Sequence, residues 1–283
     1  METKLLADWR RAFETRLANL YDADEAVQLF WQFAQQLEKV SRIDLALNPQ
    51  LEATVDDWSV VLERLETGEP YQYILGHVPF GQLQLEVNSF TLIPRPETEE
   101  LIEWIMDYHE RTDEPTILDI GTGSGCIALS LKYWLPKADV AAWDISLGAL
   151  KTAKSNAKKL GLDVDFRLQD VLQVNPPARA ELDVLVSNPP YVREVEKKEM
   201  HKNVLEFEPD SALYVSDEDP LIFYRTIAQY GTHALKKGGA IYFEINQYLE
   251  PEMRDLMQSL GYSSIETRKD FRGNWRMLRA VWA

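Results

Sequence analysis

The sequence predicts an α/β fold: a doubly wound parallel sheet with helices on both faces, preceded by a small helical bundle and a β-hairpin linker. Three observations predict it. From residue 94 onward, strand and helix patterns alternate with short links between them. Residues up to 66 carry only apolar stripes of helical period. Between 71 and 93 the period shortens to two, among Gly76, Pro79 and Gly81. The boundaries that follow are a helical domain over 1–76, a hairpin linker over 77–93 and the α/β domain over 94–283.

In the helical part, Leu5, Trp9, Phe13, Leu17 and Leu20 recur every three or four positions, as do Ala26, Leu29, Phe33, Leu37 and Val40. A third stripe, Val55, Trp58, Leu62 and Leu65, ends at Gly68 and Pro70. Aromatic residues at this spacing predict the core of a bundle rather than a ligand groove. In the linker, Leu83, Leu85 and Val87 alternate with polar residues. Further on, strands are predicted over 116–120, 140–143, 164–168, 184–187 and 240–245, and helices over 124–135, 147–160 and 220–236, the last stopped by Gly238 and Gly239. Residues 263–267 and 277–282 supply a terminal pair of strands.

Composition narrows the function. Hydrophobic residues make up 45% and charged residues 27%, the profile of a folded soluble chain. No apolar run reaches the roughly eighteen residues that would span a bilayer, so no membrane association is expected. The start, Met1-Glu2-Thr3-Lys4, has neither the apolar stretch nor the cleavage site of a signal peptide, which points to the cytoplasm. The single cysteine, Cys126, excludes an internal disulfide and a cysteine-based zinc cluster, and is read as a small packing residue. Thirty basic against 46 acidic residues give a net charge of −16. That balance disfavours nucleic acid, whose binders draw affinity from phosphate neutralisation, and suits a basic protein partner. Lys151, Lys154, Lys158 and Lys159 fall at helical spacing and read as a solvated face.

In an open α/β sheet, ligands bind beyond the carboxyl ends of the strands. After the first strand come Asp119, Ile120, Gly121, Thr122, Gly123, Ser124 and Gly125, whose glycines permit a sharp turn and close approach of a ligand. The spacing is G-x-G-x-G rather than the G-x-G-x-x-G that faces a pyrophosphate, which suits a cofactor without phosphates, S-adenosylmethionine. Asp144 follows the second strand, 23 residues beyond Gly121, where a carboxylate can accept from both ribose hydroxyls. Its other reading is a helix N-cap, shared with Ser146. Asp170, after the third strand, can accept from an adenine amino group, with Val171 beside it.

After the fourth strand stands Asn188-Pro189-Pro190-Tyr191. Two prolines fix φ and leave carbonyls without competing amide hydrogens. The Asn188 oxygen and the Pro189 carbonyl can then accept both hydrogens of one NH₂ group, and Tyr191 offers a flat face to a planar amide or base. By contrast, Asn175-Pro176-Pro177 follows no buried strand and reads as an ordinary loop. The chemistry implied is methylation of a planar nitrogen by orientation and electrostatics, with no histidine base required.

Taken together, these motifs resemble the HemK/PrmC protein-(glutamine-N5) methyltransferases. The likeness covers most of the chain: Gly68-Glu69-Pro70-Tyr71-Gln72-Tyr73-Ile74-Leu75-Gly76, Leu92-Ile93-Pro94-Arg95-Pro96-Glu97-Thr98-Glu99, the glycine turn, the Asn188 tetrapeptide, and Asp270-Phe271-Arg272-Gly273 with Arg276. The resemblance implies a class I, Rossmann-like methyltransferase domain binding S-adenosylmethionine through 121–125 and Asp144, with Asn188, Pro189, Pro190 and Tyr191 as the substrate clamp. It further implies that the helical domain grips class I peptide chain release factors, and that a monomer methylates the glutamine of their Gly-Gly-Gln motif. Pro94 to Glu99 would lie near the active site. Two positions depart from the family's pattern: Val171 stands where an aromatic residue is common, and Asn246 where Glu-Ile-Gly usually ends. Asn tolerates φ > 0, so Asn246 is expected to keep the glycine's turn. The alternatives are a nucleic-acid amino-methyltransferase with the same clamp, and a non-catalytic binding protein; the glycine spacing argues against a NAD-dependent oxidoreductase.

Overall fold

The computed structural model describes residues 4–199 and 202–283. The chain divides into two compact units, one up to Gly76 together with 202–207, the other over residues 77–199 and 208–283.

In the first unit, helices α1 (Leu6–Arg16), α2 (Ala23–Phe33), α3 (Arg42–Leu47) and α4 (Trp58–Glu66) enclose Phe13, Phe30, Phe33 and Trp58, all essentially inaccessible. Trp58 stacks on Phe30 at 5.4 Å and meets Phe13 edge-on at 5.9 Å. The stripe predicted at Leu20 overruns the helix, and Leu20 is exposed. Glu38, in the π-helical turn Ala34–Glu38, accepts bonds from the Thr54 and Val55 amides, the Thr54 hydroxyl and Trp58 Nε1. Burial alone would raise its carboxyl, but these donors outweigh it and hold the group below the usual range. Residues 71–75, which the sequence places in the period-two stretch, instead form a short helix, α5 (Tyr71–Leu75), ended by Gly76 at φ +76°.

The second unit opens with an antiparallel hairpin, β1 (His77–Phe80) and β2 (Leu83–Glu86), with Phe80 opposite Leu83. Then follow α6 (Pro96–Met106), β3 (Thr116–Ile120), α7 (Cys126–Trp134), β4 (Asp139–Asp144), α8 (Leu147–Leu160), β5 (Asp165–Leu168), β6 (Leu182–Ser187) and β7 (Val192–Arg193). After α9 (Lys202–Phe207), which groups with the first unit, come α10 (Asp210–Leu213), β8 (Tyr214–Val215), α11 (Ile222–Ala234), β9 (Leu235–Glu244), α12 (Glu250–Ser259), β10 (Tyr262–Lys269) and β11 (Trp275–Trp282).

The main sheet has the order β10-β11-β9-β6-β3-β4-β5. β9, β6, β3, β4 and β5 are parallel; β11 returns antiparallel to β9, and β10 antiparallel to β11. Strand alternation sorts the core between the two faces. Ile117, Val184 and Val186 pack with Leu101, Trp104, Ile127 and Ala153 on one side, while Leu118, Leu185 and Ile241 pack with Tyr224, Ile227, Met253 and Met257 on the other. Strand order reverses at β3, between β4 and β6, and opens the crevice in which this architecture binds ligands. The four lysines of α8 are exposed.

Asp119 lies near the end of β3, two residues before Gly121. It is fully buried, takes a 2.6 Å bond from the Thr122 hydroxyl and faces the Ala128 amide. Burial pushes its carboxyl up to about 7, against these bonds. The folded state therefore holds a proton that the unfolded chain releases near pH 4, and the resulting stability is lost as pH rises towards 7. A shift of that size is worth on the order of 4 kcal/mol at most. Asp119→Asn should flatten this pH dependence: in urea unfolding of the cofactor-free protein at pH 5 and pH 8, wild type should lose more stability than the variant. Parallel losses would refute it.

Candidate active site

A cavity of about 290 Å³ opens beyond the carboxyl ends of β3, β4 and β6. Its walls include Gly121, Thr122, Gly123, Ser124, Asp144, Asp170, Val171, Asn188, Pro189 and Pro190, residues that are up to 69 positions apart in sequence. Of the residues expected to contact cofactor or substrate, Gly125 and Tyr191 stand outside the lining.

The glycine turn is built as its sequence demands. Gly121, Gly123 and Gly125 take φ of +77°, +57° and +86°. A Cβ on Gly123 would meet nothing within 4 Å, so the cavity is open above it, and one on Gly121 would lie 3.9 Å from the Asn188 carbonyl. Gly125 serves packing instead: a Cβ there would approach Leu129 to 2.9 Å and Ala153 to 3.3 Å. Ser124 Oγ is buried at the cavity wall, with the Cys126 thiol as its polar neighbour. Cys126 packs against the core, as expected, and also lines the cavity; burial pushes its thiol up to about 12, which leaves it unreactive.

Asp144 accepts from the Gly123 amide through Oδ2 and from the Ser146 amide through Oδ1, both at 2.8 Å. Ser146, not Asp144, caps α8. Burial raises the Asp144 carboxyl, partly offset by those amides. Asp170 caps the 3₁₀ turn Val171–Gln173, accepting from the Leu172 amide at 2.9 Å and Gln173 Nε2 at 2.7 Å. Each of its oxygens thus has one local partner and keeps a further lone pair with which to accept.

The clamp rests on a residue that the sequence reading did not single out as functional. Glu244, at the end of β9, is buried and collects the site's donors. Its Oε2 accepts from the Thr98 hydroxyl at 2.6 Å and from Asn188 Nδ2 at 2.9 Å, and its Oε1 accepts from the Tyr191 hydroxyl at 2.9 Å. Asn188 Nδ2 also donates to Thr98 Oγ1 at 3.3 Å. Only an NH₂ group can satisfy an acceptor there, so the carboxamide presents Oδ1 the other way. Burial raises the Glu244 carboxyl, while the Thr98 and Tyr191 bonds and the Arg276 charge pull it down. Tyr191 is therefore tied by its hydroxyl, which also accepts from Arg276 Nη1 at 3.3 Å, and does not offer an open face to the cavity.

The segment around Pro94 finds its roles here. Pro94, Arg95 and Thr98 line the cavity, and Glu208 holds the segment by pairing with Arg95 and accepting from the Ile93 amide. At the far end, buried Asp270 accepts from the Arg272 and Asn274 amides and pairs with Arg276 at 3.2 Å, fixing that arginine behind Tyr191. Asn246 does not adopt the expected positive φ. It sits at φ −67° and ψ 126°, because its side chain caps the following turn by accepting from the Tyr248 amide.

Comparisons with known proteins agree with this architecture. Residues 8–76 match the family model described as the PrmC N-terminal domain, and residues 98–209 the one described as the methyltransferase small domain. A solved methyltransferase from Pyrococcus furiosus superposes with a TM-score of 0.52 at 19% identity, over 75% of this chain and 94% of that one, a likeness of fold. The release factor glutamine methyltransferase of Flavobacterium psychrophilum is 44% identical over 97% of this chain and 98% of its own length. That of Bacteroides thetaiotaomicron is 47% identical over 78% of each. With a likeness that runs nearly end to end and through both units, the chain belongs to the release factor glutamine methyltransferase family.

Proposed function

We propose that this chain transfers a methyl group from S-adenosylmethionine to the side-chain nitrogen (N5) of the glutamine in the Gly-Gly-Gln motif of class I peptide chain release factors. The observation that carries the reading is the orientation of Asn188: Nδ2 is committed to Glu244 and Thr98, and Oδ1 has no protein donor among the described residues. An amide nitrogen is a weak nucleophile because its lone pair is delocalised. Asn188 Oδ1 and the Pro189 carbonyl would accept its two hydrogens, turn the lone pair out of conjugation and stabilise the positive charge that develops. S-adenosylmethionine supplies an electrophilic methyl group on a sulfonium centre. The turn at 121–125 would hold its amino-acid end, Asp144 its ribose, and Asp170 with Val171 the apolar and amino edges of its base. Tyr191 supports the clamp through Glu244. Transfer would break the S–CH₃ bond as the N–CH₃ bond forms, release the thioether S-adenosylhomocysteine and shed one proton of the nitrogen to solvent, with no side-chain base assigned.

The helical unit would grip the release factor, in keeping with its family match. An acidic, monomeric protein working in the cytoplasm on a basic protein partner, without nucleic acid or membrane, completes the proposal; among the described residues no helix is long and apolar enough to cross a membrane.

The purified chain, given labelled S-adenosylmethionine with release factor, tRNA, rRNA or DNA, should label the release factor alone, and only while its Gly-Gly-Gln glutamine is present. Label in nucleic acid alone would establish the base-methylating alternative. Asn188→Ala should lower kcat by roughly 10²–10³-fold with little change in cofactor affinity, the size of effect seen for a lost transition-state acceptor or donor. Asp144→Ala should weaken cofactor binding roughly 10- to 100-fold, the worth of hydrogen bonds to a charged group; unchanged affinity in calorimetry would remove the ribose role. Glu244→Gln puts an NH₂ group where three donors need acceptors and should cut kcat about 100-fold. Because the Glu244 carboxyl is raised, wild-type turnover should fall as pH drops through its titration, and the variant should lack that acid limb.

A further inference from the structure

The chain's departure at position 246 has a physical consequence at the clamp. Asn246 is 4% exposed, and every polar atom of its side chain is used. Oδ1 accepts from the Tyr248 amide at 2.9 Å; Nδ2 donates to the Tyr191 carbonyl at 2.9 Å and to Glu196 Oε2 at 2.8 Å. Glu196 in turn accepts from the Arg193 amide at 2.9 Å and from Arg193 Nη2 at 2.8 Å, and the Arg193 guanidinium lies 5.8 Å over the Tyr248 ring. Burial would raise the Glu196 carboxyl, but the bonds from Arg193 and Asn246 outweigh it, so the acceptor is ionised at neutral pH.

These contacts close a ring on the exit side of the tetrapeptide 188–191. Glu244 fixes that loop from below through Asn188 and Tyr191, and Asn246, two residues on, fixes it through the last carbonyl of the loop. Just beyond, Val192 and Arg193 pair in parallel with Tyr214 and Val215, and Tyr214 lines the cavity. A glycine at 246 could make none of the three side-chain bonds.

We propose that Asn246 is a positioning residue for methyl transfer, holding the exit of the clamp loop in register by bridging the Tyr191 carbonyl and the Glu196 carboxylate. The inference rests on the clamp reading of Asn188. It touches neither cofactor nor substrate, so its effect falls on alignment: kcat should suffer more than KM, and cofactor affinity should not change.

Asn246→Asp keeps the size and the acceptor for Tyr248 but sets an oxygen against the Tyr191 carbonyl and the Glu196 carboxylate. With wild type shown to label the release factor, Asn246→Asp should lower kcat about tenfold, with KM and cofactor affinity each within about twofold. Adding Glu196→Gln relieves the repulsion between the two carboxylates while the Asp oxygen still faces the Tyr191 carbonyl, so it should restore only part of the loss, a coupling that general destabilisation would not produce. Asn246→Gly serves if Asn246→Asp fails to fold, with the same split between kcat and KM expected. Unchanged kcat in the 246 variants, a parallel loss of cofactor affinity, or absence of rescue by Glu196→Gln would overturn the inference. A wild-type protein that leaves the release factor unlabelled would instead overturn the proposed function.

Discussion

A buried carboxylate with three donors converging on it sets the geometry of the candidate site. Removing Glu244 from water is costly, and the cost is offset only while Thr98, Asn188 and Tyr191 all keep their bonds to it. The donors come from two distant stretches of chain: Thr98 from the start of α6, and Asn188 and Tyr191 from the two ends of the turn after β6. The network therefore has one satisfactory arrangement, in which the side chain of Asn188 has no freedom to flip. A half-satisfied version would leave a buried charge short of partners, a much worse state.

The glycine-turn side of the crevice is braced on the same principle. Asp144 takes the Gly123 amide as one of its partners, so the acidic residue after β4 and the glycine turn after β3 hold each other before any ligand arrives. Asp119 lies beneath that turn, and Gly125 allows α7 to close on α8 through Leu129 and Ala153. Acceptors held in place before a ligand binds are worth most, because little reorganisation is then needed.

How much of this was legible depended on the range of the forces involved. β3 over Thr116–Ile120 and α8 over Leu147–Leu160 coincide with the predicted spans, because periodicity and caps are local properties. The glycine turn, Asp144 and Asn188 could be picked out because their residue types are dictated by backbone and ligand chemistry at strand ends. α6 and α12 escaped, although Pro96 and Pro251 stand near their starts with acidic residues in the first turn. Glu244 could not be read as a hub, since its partners lie 56 and 146 residues away and nothing adjacent marks it. Asn246 was judged by its backbone tolerance alone, whereas its side-chain bonds decide its conformation. Tyr191 likewise looked like a stacking surface until the position of its hydroxyl became known.

The grouping of 202–207 with the helical unit gives the chain an unusual itinerary. It leaves that unit after Gly76, builds the hairpin and most of the parallel strands, returns for six residues, and departs again to finish the sheet. On the ribosome, where domains tend to fold in the order in which they emerge, the first unit cannot acquire its last segment until more than two-thirds of the protein has been made. The second cannot close its sheet until β9, β10 and β11 follow. Among the described residues the bundle's buried core lies wholly within residues 6–75, so it can form as soon as that stretch is made, and only the late segment 202–207 has to join it afterwards.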